Sequence, residues 1–109
     1  MVYIGSLEHD VQLKASTGIV IFGAGTMFPH LLKKMEQFDL REKIIALCDN
    51  NTTIQGNRIA GISVISPEHA CREYRDVDYI VYNQYFMENC RQLQENHVTR
   101  IHLIRQGSL

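Results

Sequence analysis

The chain has 109 residues, 45% of them apolar and 21% charged, the composition of one ordinary globular domain with a single core. A net charge of −1 offers no electrostatic footprint for nucleic acid or a membrane surface, and no apolar run approaches the ~20 residues of a membrane span. The start, MVYIGSLEHD, lacks a basic stretch followed by an apolar one, so no secretory signal is expected and the cytosol is the expected compartment.

Residues 1–16 read as a lead-in. Ser6 is placed to cap a short helix carrying Leu7, Val11 and Ala15 on one face. Ile19-Val20-Ile21-Phe22 is a continuous apolar run, the pattern of a strand buried on both faces of a parallel sheet. It runs into Gly23-Ala24-Gly25, and a helix follows. Thr26 is the expected cap, Pro29 sits in the first turn, and Phe28, Leu31, Leu32, Met35 and Phe38 form an apolar stripe.

Ile44–Cys48 is the second strand, ending in the polar turn Asp49-Asn50-Asn51. Arg58–Ala60 is a short extended piece, and Ile62, Val64 and Ile65 belong to a third strand. Ser66-Pro67-Glu68 combines a cap, a first-turn proline and an acid at the positive end of the dipole, so a short helix starts there and ends near Tyr74. Asp78–Tyr82 is the fourth strand. Met87, Cys90, Leu93 and His97 stripe the next helix, Arg100–Ile104 is the fifth strand, and Gly107-Ser108-Leu109 is a loose tail.

Apolar strands joined by helices imply right-handed crossovers. The expected fold is α/β: a three-layer, doubly wound Rossmann-like parallel sheet of about five strands, order 3-2-1-4-5, forming one domain over 17–109. The three cysteines, Cys48, Cys71 and Cys90, match no zinc spacing and read as small buried hydrophobes; the five histidines form no ligand pair.

The strand–glycine junction is where such a fold places its phosphate loop. Gly23 and Gly25 allow a sharp turn and a close backbone approach to a pyrophosphate, with the positive end of the next helix behind it. Ala24, Thr26 and Met27 complete the candidate loop, Thr26 with a hydroxyl donor. The full fingerprint is G-x-G-x-x-G/A, and Phe28 stands at its third position, which implies a more distant helix or a different loop. Asp49 lies 24 residues after Gly25, close to the ~20 expected for an acid on a ribose 2′-hydroxyl. Its other reading is a turn cap with Asn50. An acid here disfavours a 2′-phosphate, so NAD is expected over NADP. Asn83 and Gln84, after the fourth strand, face the same edge, either as ribose or base contacts or as a polar loop and helix cap. No nucleophile–base–orienter set occurs, and Tyr79 and Lys33 do not form a YxxxK pair.

The stretches IVIFGAG (19–25), ALCDNN (46–51), GNRIAGISVISPEH (56–69) and DYIV (78–81) carry a family resemblance. Over its last nine-tenths the chain resembles a Rossmann-like module of bacterial sugar and surface-polysaccharide enzymes. It is similar to the N-terminal part of nucleotide-sugar dehydratase/epimerases and to the nucleotide-sugar-binding domain of sugar acyltransferases. The resemblance implies Gly23, Gly25 and Asp49 as nucleotide contacts, NAD or a nucleotide-sugar as ligand, and a companion catalytic domain for any reaction. Three readings stay open: a nucleotide-binding module, a degenerate module serving protein interaction or homodimerisation, and a stand-alone oxidoreductase. The last needs a substrate pocket of ~300–1,000 Å³ beside the dinucleotide in ~110 residues. A Phe28 or Met27 side chain blocking the loop would favour the degenerate module.

Overall fold

A computed structural model describes residues 2–105; the expected tail Gly107-Ser108-Leu109 lies outside them. The elements in chain order are β1 (Val2–Gly5), α1 (Val11–Ala15), β2 (Ile19–Phe22), α2 (Phe28–Gln37) and a 3₁₀ turn (Arg41–Lys43). Then come β3 (Ile44–Cys48), β4 (Arg58–Ile59), β5 (Ile62–Ile65), α3 (Pro67–Glu73), β6 (Asp78–Val81), α4 (Phe86–Glu95) and β7 (Ile101–Ile104).

One seven-stranded sheet has the order β1-β7-β6-β2-β3-β5-β4, parallel except for the β4–β5 hairpin. This corrects the expected count of five and the expected order. The five anticipated strands keep their relative places, and one more strand is added at each edge. β1 pairs with β7 in register, Val2 with Ile101 through Gly5 with Ile104. At the other edge, Ala60 and Gly61 (φ 53° and 79°) turn β4 back onto β5. Positive φ at both central residues is the two-residue turn whose twist matches a hairpin.

Period-two alternation splits each central strand between two layers. Ile19, Ile21, Leu47 and Ile80 face α1 and α2, where Leu13, Phe28, Leu31 and Met35 are buried. Val20, Phe22, Ala46 and Val81 face α3 and α4, where Ala70, Cys71, Cys90 and Leu93 are buried. Each large apolar side chain removed from water contributes about 1.5–3 kcal/mol, so these two layers hold the sheet. No helix among the described residues is long and apolar enough to cross a membrane.

The caps refine the sequence reading. Ser66 caps α3 as expected, its side chain accepting from the His69 N–H at 3.1 Å. Ser6 caps nothing; Asp10 caps α1, accepting from the Leu13 N–H at 2.9 Å. The segment expected as a helical lead-in therefore supplies a strand and a helix. Thr26 is not the cap of α2, which starts one residue later at Met27 with no side-chain cap bond. His97 lies beyond α4 at φ 66°, the left-handed position that ends a helix, and Met87 is 65% exposed; the buried stripe is Asn89, Cys90 and Leu93.

The deepest polar group is His102, fully buried on β7. Its Nδ1 lies 2.6 Å from Asp10 Oδ2 and its Nε2 lies 2.8 Å from Asp78 Oδ1. Each ring nitrogen thus faces one carboxylate. Tyr3 stacks on the ring at 5.1 Å, and Arg100 Nε approaches Asp78 at 3.3 Å. The network joins the first strand and first helix to the last two strands.

Candidate functional site

The site lies at the carboxyl ends of β2, β3 and β6, the switch point where a doubly wound sheet opens a crevice. β2 is hydrogen-bonded on both sides, so its end is fixed, and the chain must leave between two neighbours. Gly23 makes that exit. Its N–H donates to the Cys48 carbonyl (2.8 Å), and its φ is 114°. A Cβ there would sit 2.6 Å from Asn83 Nδ2. Gly23 is therefore required by the fold itself.

Gly25 differs. Its φ is not in the left-handed region, and a Cβ there would meet nothing within 4 Å. The missing side chain leaves open space over the loop, at the start of α2. That helix begins with no side-chain cap, no acid in its first turn and Pro29 near its start. Its positive end is left to the cleft.

Asp49 ties the loop to the end of β3. Its Oδ2 accepts from the Ala24 N–H (2.9 Å) and its Oδ1 from the Asn51 N–H (2.8 Å). The turn-cap reading is thus realised at Asn51, not Asn50, and the same carboxylate braces the glycine loop. Each oxygen keeps a second lone pair, and Asp49 lines the cleft. Asn50 instead pairs with Gln92 of α4 (2.9 Å), bridging the two walls. Asn83 braces the opposite side: its Nδ2 donates to the Phe22 carbonyl and its Oδ1 accepts from the Tyr85 N–H, both at 2.8 Å.

These elements enclose a cleft of about 720 Å³, within the range of small-molecule sites. Of the residues singled out from sequence, Gly23, Gly25, Thr26, Met27, Asp49, Asn50, Asn83 and Gln84 line it. Ala24 does not; it is buried, and its N–H is spent on Asp49. Phe28 is 2% exposed and packs in the α2 layer, and it also lines the cleft. Met27 also packs against that layer.

Sequence reasoning missed Tyr85, Glu88 and Asn89 on the β6–α4 wall. The available signal was Asn89, a polar residue one turn before Leu93 on a stripe otherwise apolar. The lining includes the acids Asp49 and Glu88 and, among the described residues, no Lys, Arg or His. Cys48, just below Asp49, offers no nucleophile: burial first, then the neighbouring Cys71 and Asp49, push its thiol well above the usual range. Among the described residues no cluster of His, Cys, Asp and Glu could hold a metal ion. Such an arrangement can bind an anionic group through backbone and helix dipole and a sugar hydroxyl through Asp49.

No protein-family model matches the chain, and no curated protein does. Among solved structures, the crystal structure of RSP, a Rex-family repressor, is similar over 85% of this chain and 47% of its own, with a TM-score of 0.63 at 16% identity. RSP in complex with beta-NADH is similar over 82% and 46%, with a TM-score of 0.58 at 15% identity. The chain spans about half the length of these structures. At such identities the likeness is one of fold, and the fold is a Rossmann-like α/β domain.

Proposed function

We propose that the chain is a nucleotide-binding module whose cleft takes a dinucleotide of the NAD class. The observation that carries this reading is the contrast between the two glycines. Gly23 is explained by the protein's own packing; the missing Cβ of Gly25 is explained by nothing in the protein and clears space at the uncapped start of α2. A pyrophosphate would occupy that space, with its charge on the helix end. Asp49 would accept from a ribose hydroxyl through its remaining lone pairs, and its carboxylate would repel a 2′-phosphate. That a solved structure of similar fold is a complex with beta-NADH supports the choice of ligand. Phe28 is packed in the core beside the cleft, which disfavours the degenerate module.

The sugar-biosynthesis connection enters as a competing ligand. Calorimetric titration with NAD⁺, NADH, NADPH and a UDP-sugar tests the reading. Saturable binding of NAD⁺ or NADH, tighter than NADPH, is expected. No heat and no thermal shift with either at millimolar concentration refutes it, and saturable binding of the UDP-sugar alone reassigns the cleft.

A further inference from the structure

Asn89 is a largely buried residue whose side-chain amide faces a cleft and bonds no other described residue. It is 6% exposed, on the cleft side of α4. Its backbone N–H is committed to the Tyr85 carbonyl at 3.0 Å. Its side-chain amide has no hydrogen-bond partner among the described residues, yet it is not sealed from the cleft. An amide so placed is free to pair with a group that enters the cleft. An Asn amide offers two donors and one acceptor, which is the complement of another carboxamide. Beside it stands Glu88, and no cationic side chain among the described residues lines the cleft.

We infer that Asn89 is a specificity-determining residue that pairs with the carboxamide at the far end of the dinucleotide, with Glu88 excluding the corresponding carboxylic acid. The inference rests on the cleft being a dinucleotide site. Asp49, at the end of β3, and Asn89, on α4, line the same cleft as the glycine loop. With the adenosine ribose at Asp49 and the pyrophosphate over Gly25, the second base falls against α4. A carboxamide there donates to Glu88 or Asn89 and accepts from Asn89. A carboxylate donates nothing, faces the Glu88 carboxylate, and finds no cationic side chain among the described residues of the lining. Like charges brought together without a counter-ion are the repulsive half of specificity.

The test compares NAD⁺, nicotinic acid adenine dinucleotide and AMP by calorimetry on the 109-residue chain, with AMP as the reference lacking the far half. NAD⁺ is expected to bind at least tenfold tighter than its acid analogue. Glu88→Gln, on an exposed position, is expected to cut that ratio several-fold. Asn89→Ala is expected to weaken NAD⁺ several-fold and leave AMP unchanged, with the discrimination due to Glu88 retained. A wild-type ratio below about two overturns the inference, as does a Glu88→Gln protein that keeps the full ratio; both hold even if Asn89→Ala fails to fold. AMP binding with no further gain for NAD⁺ overturns this inference and leaves the nucleotide site standing. Loss of both refutes the site and the inference together.

Discussion

Replacing each glycine of the loop by alanine separates what the fold requires from what a ligand requires. At Gly23 the new Cβ must be held at φ 114° and would lie 2.6 Å from Asn83 Nδ2. Backbone strain of this kind costs about 1–3 kcal/mol. Asn83 must also move, and its bond to the Phe22 carbonyl (2.8 Å) is lost, a further ~1 kcal/mol. The expected loss for Gly23→Ala is therefore about 2–4 kcal/mol, a fall in melting temperature of at least ~8 °C for a domain of this size. At Gly25 the Cβ enters open space with no positive φ. Gly25→Ala is expected to leave stability unchanged or raise it by up to about 1 kcal/mol, because the unfolded chain loses freedom. Its nucleotide affinity is expected to fall at least tenfold. Thermal and urea unfolding give the first quantity and calorimetry the second. A Gly23→Ala protein melting with the wild type, or a Gly25→Ala protein as destabilised as Gly23→Ala, refutes the division of roles.

Two further outcomes concern the buried polar and thiol groups. His102→Leu leaves Asp10 and Asp78 facing an apolar side chain, and leaving a buried acceptor without its partner costs about 1–3 kcal/mol; a loss below ~1 kcal/mol in urea unfolding contradicts the account of this cluster. Burial raises the thiols of Cys48, Cys71 and Cys90 above their ordinary value and pushes the Tyr79 hydroxyl up as well. The folded chain holds these protons more tightly than the unfolded one, so their contribution is complete below the ordinary thiol range, near 8.5, and is lost as pH rises beyond it. Urea midpoints measured from pH 7 to 10 should fall above about pH 8.5, and a rising midpoint contradicts the sign.

The parts legible in the sequence are those whose partners are near or generic. The run Ile19–Phe22 is buried at every position because a central parallel strand has no solvent face. Ser66-Pro67-Glu68 starts a helix by local chemistry alone. β1 was not legible: its four residues read as a strand only against β7, at the other end of the chain. In the site, Gly23, Asp49 and Asn83 were legible because they follow apolar runs, which puts them at strand ends. What Asp49 does was not, since its partner Ala24 is 25 residues away. Asn89 was missed because the stripe of α4 was phased on Met87 and His97. Met87 is exposed and His97 falls past the helix end, so the true buried face is rotated to include the asparagine. His102 gave no signal either, because its carboxylate partners are 92 and 24 residues distant.

The pairing of Val2 with Ile101 makes the β1–β7 edge the most non-local contact in the sheet. Closing a loop of roughly a hundred residues costs about 4 kcal/mol plus a constant. Four strand pairs, the Tyr3 ring on His102 and the Asp10–His102 bond offset that cost. The β2–β3, β3–β5 and β6–β7 pairs, each joined by one short connection, gain their contacts at smaller entropic expense. The first strand of the chain is therefore the part of the sheet whose contacts reach furthest along the sequence.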